Sequence, residues 1–259
     1  MLEGTNLIKE AIKSSISFLE FIVTPEWIEK HNSLISLLPT ELKISLVTSS
    51  VLQASVSTKN PDGVAALIAL NDLPDKPSNP EFILVLDRIQ DPGNVGNLFR
   101  TALASDVDLL LSASGADPLS QKVLRSSSGS ILNLPFERVG DNEIESIDII
   151  VKRLEKYYSD GFQIIGTSSL NKDFNNEGFK DAEPIPYWEL NWDLPTVLVL
   201  GNEGSGLNIK IFNCCTHVVT LPHSSKVESL NVASAAVPIL LERRRVKMSK
   251  VLKNKKNCE

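Results

Sequence analysis

Apolar residues in the first 75 positions alternate between helical spacing and short continuous runs. Between residues 7 and 12 they recur at the interval of three to four that marks one face of a helix. Further along, the pattern predicts strands at 18–24, 44–47 and 64–70, and helices at 27–38 and 49–55. Alternating short strands and helices predict a small α/β unit with a parallel or mixed sheet.

A proline-rich stretch ends this unit. Residues 73–80 read Leu-Pro-Asp-Lys-Pro-Ser-Asn-Pro, and three prolines so close together disfavour both a helix and a central strand. We therefore place a linker at 76–81, between a first domain at 1–75 and a second at 82–248. A basic tail at 249–259 follows.

The second domain has a clearer alternation. Buried strands are predicted at 82–86, 107–111, 131–135, 162–167, 196–200 and 218–221. Helical patterns lie between them at 96–105, 121–126, 144–158, 209–213 and 230–245, and 171–192 is expected to be a surface excursion. Five or six strands with helices between them predict an α/β fold with an open parallel sheet. Polar loops follow Leu86, Leu200 and Leu221 at carboxyl ends of strands, where such sheets bind ligands.

Composition narrows the class of protein. Hydrophobic content of 42% and charged content of 22% are typical of a globular protein, and no apolar run approaches the roughly 18 residues of a membrane span. Three cysteines provide no disulfide framework and no Cys-x-x-Cys zinc pattern, which favours a reducing compartment and no metal. No leader is visible, so we expect the cytoplasm or an organelle matrix.

Charge is distributed unevenly. The net charge is −6, but residues 242–259 contain eight Lys or Arg and two Glu, which leaves the rest of the chain at −12. A basic end on an acidic body indicates either a contact with a phosphate backbone or a solvated, frayed terminus. The run of arginines at 243–245 is equally compatible with a surface between two copies of the chain.

The first candidate motif is the segment 91–102, Asp-Pro-Gly-Asn-Val-Gly-Asn-Leu-Phe-Arg-Thr-Ala. Its Pro-Gly pair predicts a turn, after which Asn94 is expected to cap the next helix. Gly96 permits the close approach of another backbone or a ligand. Arg100 then lies within the helix and is suited to holding a phosphate, although a capped helix with a surface arginine is the simpler interpretation.

The second motif, Leu-Val-Leu-Gly-Asn-Glu-Gly-Ser-Gly-Leu at 198–207, follows a buried strand. It is not a P-loop, because no Lys-Ser/Thr pair follows, and its Gly-x-x-Gly-x-Gly order is not the dinucleotide fingerprint. Glu203 would repel a pyrophosphate, so we expect it to bind a hydroxyl, an amine or an arginine. A plain glycine-rich turn is the alternative.

The third motif begins where the strand at 218–221 stops at Pro222. A polar loop leads into the last helix, and Ser229 and Asn231 flank the apolar Leu230. A strand, a tight polar loop and a helix start together suit a nucleotide-like ligand.

In this order the three motifs resemble those of the SpoU (TrmH-like) branch of the SPOUT RNA methyltransferases, and the resemblance covers residues 82–245. The first 75 residues resemble the L30e-like RNA substrate-binding domain of the same proteins, with Gly-Thr-Asn-Leu-Ile-Lys-Glu-Ala-Ile at 4–12 matching its usual opening. Since that domain normally begins further upstream, the resemblance implies an N-terminally clipped chain.

The resemblance implies a parallel sheet with a C-terminal trefoil knot, S-adenosyl-L-methionine as cofactor and methyl transfer to a ribose 2′-hydroxyl of rRNA or tRNA by a homodimer. By motif position, the implied catalytic residues are Asn94, Arg100, Glu203, Ser229 and Asn231. The implied cofactor contacts are Leu200, Gly201, Asn202, Gly206, Leu221, Pro222, Leu230 and Asn231. Arg100 and Arg125 are the expected RNA contacts.

The role of Arg100 and the effect of an altered third motif each have two interpretations. A family proposal makes the arginine the base, whereas a milder interpretation has Arg100 grip a phosphate while paired with Glu203 or Asn94. The third motif also departs from the family pattern, since Pro222-His223-Ser224-Ser225 stands where Pro-Met-x-Gly is usual. A catalytically silent RNA-binding relative is therefore the alternative function. His223 itself is either a tolerated loop substitution, the simpler interpretation, or a new proton acceptor.

Overall fold

The computed structural model describes residues 1–168 and 184–256, with only the backbone for 253–256. The first elements are β1 (Leu2–Glu3), α1 (Thr5–Lys13), β2 (Phe18–Val23), α2 (Pro25–Lys30), α3 (Asn32–Ile35), β3 (Ile44–Leu46), α4 (Ser49–Ser55) and β4 (Val64–Ile68). They form a four-stranded sheet in the order β1-β4-β2-β3, where β4 is antiparallel to both neighbours and β2 is parallel to β3. The mixed sheet predicted for this region is confirmed.

The prediction of a single helix at 27–38 is wrong. The chain leaves helical geometry at His31, whose φ is −129° and ψ is 33°, and two short helices, α2 and α3, lie on either side. The His31 ring stacks on Trp27, with centroids 4.5 Å apart, and its Nδ1 donates to the Trp27 carbonyl oxygen at 3.1 Å. Apolar spacing continues across this break, so the pattern alone does not reveal it.

The second region continues with β5 (Phe82–Asp87), α5 (Pro92–Ala104), β6 (Leu109–Ala113), α6 (Gln121–Ser127), β7 (Phe136–Val139), α7 (Glu143–Ser159), β8 (Gln163–Thr167), β9 (Ile185–Pro186), β10 (Thr196–Leu200), α8 (Ile209–Phe212), β11 (His217–Thr220) and α9 (Val232–Lys256). A seven-stranded sheet has the order β7-β6-β5-β10-β8-β11-β9. Every adjacent pair is parallel, which confirms the predicted open parallel sheet. The sheet has more strands than the five or six expected.

Two segments of this region differ from their predictions. Residues 131–135 do not form a strand; Ser130–Leu132 is a 3-10 turn that packs its apolar side chains into the core, and β7 begins after Pro135. Most of the excursion predicted at 171–192 lies outside the described residues. Its last part, 184–192, includes β9 and the buried Trp192, whose Nε1 donates to the Tyr187 carbonyl at 2.7 Å.

As far as Lys256, where the described residues end, the basic C-terminal segment is helical and not frayed. Helix α9 runs to Lys256, and Arg243 is 2% exposed with its guanidinium 4.5 Å above the Phe82 ring. Further along, Lys247 pairs with Glu81 at 3.0 Å and Lys250 pairs with Asp193 at 2.6 Å. Burial removes Arg243 from any RNA or subunit surface. Although α9 is long, it falls short of the apolar character of a membrane-crossing helix, as do the other helices in the described ranges.

Candidate active site

The loop after β5 and the glycine-rich loop after β10 are hydrogen-bonded to each other. The buried Asp87 carboxylate accepts from the Asn208 backbone N–H at 2.6 Å. The Arg88 guanidinium donates to the Gly206 carbonyl at 3.2 Å, and Asn202 Nδ2 donates to the Arg88 carbonyl at 2.8 Å. These bonds fix the path of the chain from residue 201 to 208.

Arg88 has an unusual backbone for a residue with a side chain. Its φ is 57°, in the left-handed region that glycine prefers. The guanidinium is mostly buried and donates to Asp87 from Nε at 2.8 Å, and the Asp87 bond, together with nearby carboxylates, raises the pKa of Arg88 despite its burial. The sequence analysis selected neither Asp87 nor Arg88. The signal that could have found them is the aspartate that ends the otherwise fully apolar run of β5.

The glycines of the loop are required by close packing. A Cβ on Gly201 would lie 2.5 Å from both the Gly206 carbonyl carbon and the Leu207 nitrogen, and Gly206 itself has a φ of 72°. The Asn202 side-chain oxygen accepts from the backbone N–H of Gly204 at 3.0 Å and of Ser205 at 2.9 Å. The loop is therefore a tight, self-bonded turn with no space for a side chain at position 201.

Glu203 projects from this loop onto the first turn of α5. Its carboxylate accepts from Asn94 Nδ2 at 2.9 Å and from the backbone N–H groups of Gln90 at 3.3 Å and Asp91 at 3.4 Å. Asn94 is not the helix cap that the sequence predicted. The cap is Asp91, which accepts from the Asn94 N–H at 2.9 Å, and Pro92 occupies the first helical position. The Asn94 side chain is thereby left available for Glu203.

Asn231 joins the third loop to this pair. Its Nδ2 donates to Asn94 Oδ1 at 2.8 Å, while its Oδ1 accepts from the Ser234 N–H at 3.1 Å in the first turn of α9. A continuous chain of hydrogen bonds, Glu203–Asn94–Asn231, thus links the loops after β10, β5 and β11. Three side chains predicted from separate motifs are brought together.

A cavity of about 470 Å³ lies on one side of this chain, between the glycine-rich loop and the segment that precedes α9. Its lining includes the predicted residues Gly201, Asn202, Glu203, Gly206, Leu221, Ser229 and Leu230. Leu200, which is buried, and Pro222, which is exposed, were expected to contribute but are not part of the lining. The sequence did not indicate Thr167 or Glu228, which line the cavity together with His223.

A second cavity of about 450 Å³ lies between α5 and α9. Arg100 and Asn231 line it, with Asn97, Thr101 and Ser234 among the other polar residues. The exposed Arg100 forms no hydrogen bond or ion pair with any residue that the structure describes, so the expected pairing with Glu203 or Asn94 is wrong. Asn231 belongs to this cavity and Glu203 to the other, and Asn94 lies between them.

Arg125 is not part of this cluster. Its Nη1 lies 3.2 Å from a Glu3 carboxylate oxygen and donates to Thr58 Oγ1 at 3.0 Å. Both partners belong to the N-terminal region. The structure therefore separates the two arginines that the sequence assigned to RNA.

Two family models match this chain, and together they cover the residues of the site and of the N-terminal sheet. Residues 81–241 match the model of the SpoU rRNA Methylase family, and residues 1–73 match that of the RNA 2′-O ribose methyltransferase substrate-binding domain. The chain belongs to the SpoU rRNA methylase family. The family match spans all three loops of the site, and the second match covers the four-stranded sheet.

This SpoU protein has relatives along nearly its whole length. It is 36% identical to an uncharacterized tRNA/rRNA methyltransferase of Synechocystis, covering 95% of this chain and 83% of the relative. It is 28% identical to the 23S rRNA (guanosine(2553)-2′-O)-methyltransferase RlmP of Bacillus subtilis, covering 91% and 84%. Among solved structures, the SpoU methyltransferase AviRb of Streptomyces viridochromogenes, in complex with AdoMet, superimposes with a TM-score of 0.72 at 24% identity, covering 96% of this chain and 90% of AviRb. This last likeness is one of fold.

Proposed function

We propose that this SpoU protein transfers a methyl group from S-adenosyl-L-methionine to a ribose 2′-hydroxyl in structured rRNA or tRNA. Family membership and the named activity of the Bacillus relative support the class of reaction. The observation that carries the proposal is the Glu203–Asn94–Asn231 chain, which lies between the two cavities. One cavity suits the methyl donor and the other suits the RNA.

The first cavity fits the cofactor by size and by charge. Its volume, about 470 Å³, is within the usual range for small-molecule sites. Apolar side chains such as Leu221 and Leu230 suit an adenine ring, and the carboxylates of Glu203 and Glu228 suit a cationic ligand. The described lining contains no Lys or Arg, which favours a positively charged nucleoside over a phosphate-bearing cofactor.

When bound there, S-adenosyl-L-methionine supplies an electrophilic methyl group. The protein contributes position: Asn94 is fixed between Glu203 and Asn231, and Arg100 faces the second cavity with its donors available. A guanidinium remains protonated at physiological pH, so Arg100 holds a phosphate of the RNA and does not act as the base. The described residues around Arg100 include no group that titrates near neutral pH, and the hydroxyl proton leaves through water.

The same proposal includes a homodimer and a knotted C-terminus. Val237 is 40% exposed and Leu241 is 39% exposed, and these apolar residues lie on α9 beside Arg100. A second copy covering this face would enclose the Arg100 cavity. The knot is supported by the position of β11 inside the sheet, between β8 and β9, and by the packing of α9 against α5. Sedimentation equilibrium tests the dimer, and a Leu241→Glu variant is expected to sediment as a monomer.

Calorimetric titration with S-adenosyl-L-methionine separates this function from the silent alternative. The enzyme is expected to bind the cofactor with a dissociation constant in the micromolar range. The alternative, an RNA-binding relative altered at His223 and Ser225, predicts no heat of binding at millimolar cofactor while RNA binding persists.

A further inference from the structure

Glu3 and Arg125 form an ion pair between the two domains. Arg125 lies on α6 of the methylase domain, and its guanidinium lies 3.2 Å from the carboxylate of Glu3 on β1. The same Nη1 donates to Ser57 Oγ at 3.2 Å and to Thr58 Oγ1 at 3.0 Å. We call Glu3, Ser57, Thr58 and Arg125 the interdomain clamp.

The carboxylate of Glu3 is buried and fully engaged. Its side chain is 3% exposed, and it accepts from the backbone N–H groups of Ser57 at 2.9 Å and Thr58 at 3.1 Å as well as from both hydroxyls. Burial acts to raise the pKa of Glu3, but the hydrogen bonds from Ser57 and Thr58 and the charge of Arg125 outweigh it and lower that pKa. A buried carboxylate held this way fixes its neighbours in one geometry.

Other contacts surround the clamp along the same boundary. Gln121 Nε2 donates to the Met1 carbonyl at 2.8 Å, and Ser14 Oγ donates to Asn133 Oδ1 at 2.8 Å. A Cβ on Gly129 would lie 2.5 Å from the Glu10 side chain. One cluster of buried apolar side chains also includes residues of both domains. The substrate-binding domain is therefore packed onto the methylase domain over an extended face.

Helix α6 contacts both the clamp and α5, which carries part of the candidate active site. Ser126, the residue after Arg125, donates from Oγ to the Pro92 carbonyl at 3.1 Å, in the first turn of α5. A Cβ on Gly96 would lie 2.7 Å from the backbone nitrogen of Ser127, so α5 and α6 are in backbone contact. Helix α5 carries Asn94 and Arg100. Only helix α6, which carries Arg125, lies between the clamp and α5.

We propose that Glu3 and Arg125 are positioning residues, which hold the substrate-binding domain at a fixed orientation to α5 so that RNA bound by one domain reaches Arg100 on the other. Arg125 acts on RNA through Glu3 and does not touch the RNA itself. This inference rests on the proposed function, because it assigns a task to the domain boundary of an RNA methyltransferase. Loss of the clamp lowers the effective concentration of the bound RNA at the active site.

The first experiment uses the protein alone. Hydrogen exchange of the segment containing Ser57 and Thr58 is compared for the wild type, Glu3→Gln, Arg125→Ala and Arg138→Ala. Arg138 is the matched control, since it pairs at 3.3 Å with Asp117 inside the methylase domain. Exchange at 57–58 is expected to rise at least about tenfold in both clamp variants and to remain unchanged in Arg138→Ala. Unchanged exchange in Arg125→Ala overturns the proposal, whether or not the protein methylates RNA.

The second experiment measures RNA affinity by filter binding with deproteinised large-subunit ribosomal RNA. The clamp predicts that Glu3→Gln and Arg125→Ala both weaken binding by about tenfold, while calorimetry shows cofactor affinity within about twofold of the wild type. Direct contact between Arg125 and RNA predicts the opposite for Glu3→Gln, because removing the carboxylate frees a positive charge. Unchanged or tighter RNA binding by Glu3→Gln therefore contradicts the proposal. Absence of cofactor binding in the wild type would instead contradict the proposed methyl transfer.

Discussion

Asn231 donates a hydrogen bond from its side-chain amide to the side-chain oxygen of Asn94, at 2.8 Å, across 137 positions of sequence. The same Asn94 donates its own amide hydrogen to Glu203 at 2.9 Å. Asn94 therefore acts as a hydrogen-bond acceptor and donor at once, and a side-chain amide provides both on one planar group without a change of protonation. This requirement explains why a short amide lies where the three loops meet.

Replacement of Asn94 by Asp is expected to reduce kcat/KM by more than replacement by Ala. The aspartate would place a second carboxylate against Glu203 and lose the donor, whereas alanine only removes the bonds. We expect a loss of about 100-fold for Asn94→Ala and a larger loss for Asn94→Asp, measured as methyl transfer to ribosomal RNA. Equal activity of Asn94→Asp and the wild type would show that the amide bridge has no catalytic role.

Two glycines of one loop provide a matched pair for cofactor binding. A Cβ on Gly201 meets the backbone of Gly206 and Leu207 at 2.5 Å, whereas a Cβ on Gly204 meets only Asn202 Oδ1 at 3.6 Å. Gly201→Ala is therefore expected to weaken S-adenosyl-L-methionine binding at least about tenfold by displacing the loop, and Gly204→Ala to leave it nearly unchanged. Calorimetry on both variants checks this, and equal affinities would mean that the loop does not hold the cofactor.

The sequence was sufficient for the architecture of the parallel sheet. Buried apolar runs ending in polar loops located β5, β10 and β11, and the rule that parallel strands present their carboxyl ends together located the site. The resemblance of the motifs also pointed to Asn94, Glu203 and Asn231, which the structure brings together. It did not reveal their pairing, because Arg100 appeared to be the natural partner of Glu203 and only the fold shows that Asn94 is nearer.

The other differences between expectation and structure have separate causes. Arg125, an expected RNA contact, pairs in the structure with Glu3, which is 122 positions away, and no local pattern reveals such a contact. Asp91 and not Asn94 caps α5, although Asp-Pro at a helix start is a recognisable local pattern. Residues 131–135 are apolar and buried, and periodicity does not distinguish a buried turn from a strand over such a short stretch.

The Asp87–Arg88 pair should contribute strongly to stability. Truncation in Arg88→Ala would leave the fully buried Asp87 carboxylate without its counter-charge and release the Gly206 carbonyl. We expect a loss of about 3 kcal/mol in the free energy of unfolding, measured by urea denaturation. The exposed pair of Arg138 and Asp117 is the control, and Arg138→Ala should cost less than about 1 kcal/mol. Similar losses in the two variants would contradict the role of burial.

The acid stability of the protein should depend on Glu137. Hydrogen bonds from Arg153 at 2.6 and 2.7 Å outweigh burial and, with Lys76 at 2.7 Å, lower the pKa of Glu137 to about 2. Since the pKa of Glu137 in the folded protein lies below its ordinary value of 4.5, the pair stabilises the fold above about pH 4.5 and loses this contribution as pH falls toward 2.

Glu137→Gln should therefore be about 2 kcal/mol less stable than the wild type at pH 7, and the difference should shrink as the pH falls from 4.5 toward 2. Urea denaturation over this pH range measures it, and the control is a Glu155→Gln variant of the exposed Glu155 on α7, the helix that carries Arg153. A difference that does not change with pH would exclude the ion pair as its cause.

The position of the transferred methyl group tests the central claim most directly. Ribosomal and transfer RNA from cells lacking the protein is incubated with the purified chain and methyl-labelled S-adenosyl-L-methionine, then digested to nucleosides. The account predicts label in a 2′-O-methylnucleoside, reduced more than about 100-fold by Asn94→Asp and, at subsaturating cofactor, at least about tenfold by Gly201→Ala. Label on a base, or no label from a protein that binds both the cofactor and the RNA, would contradict it.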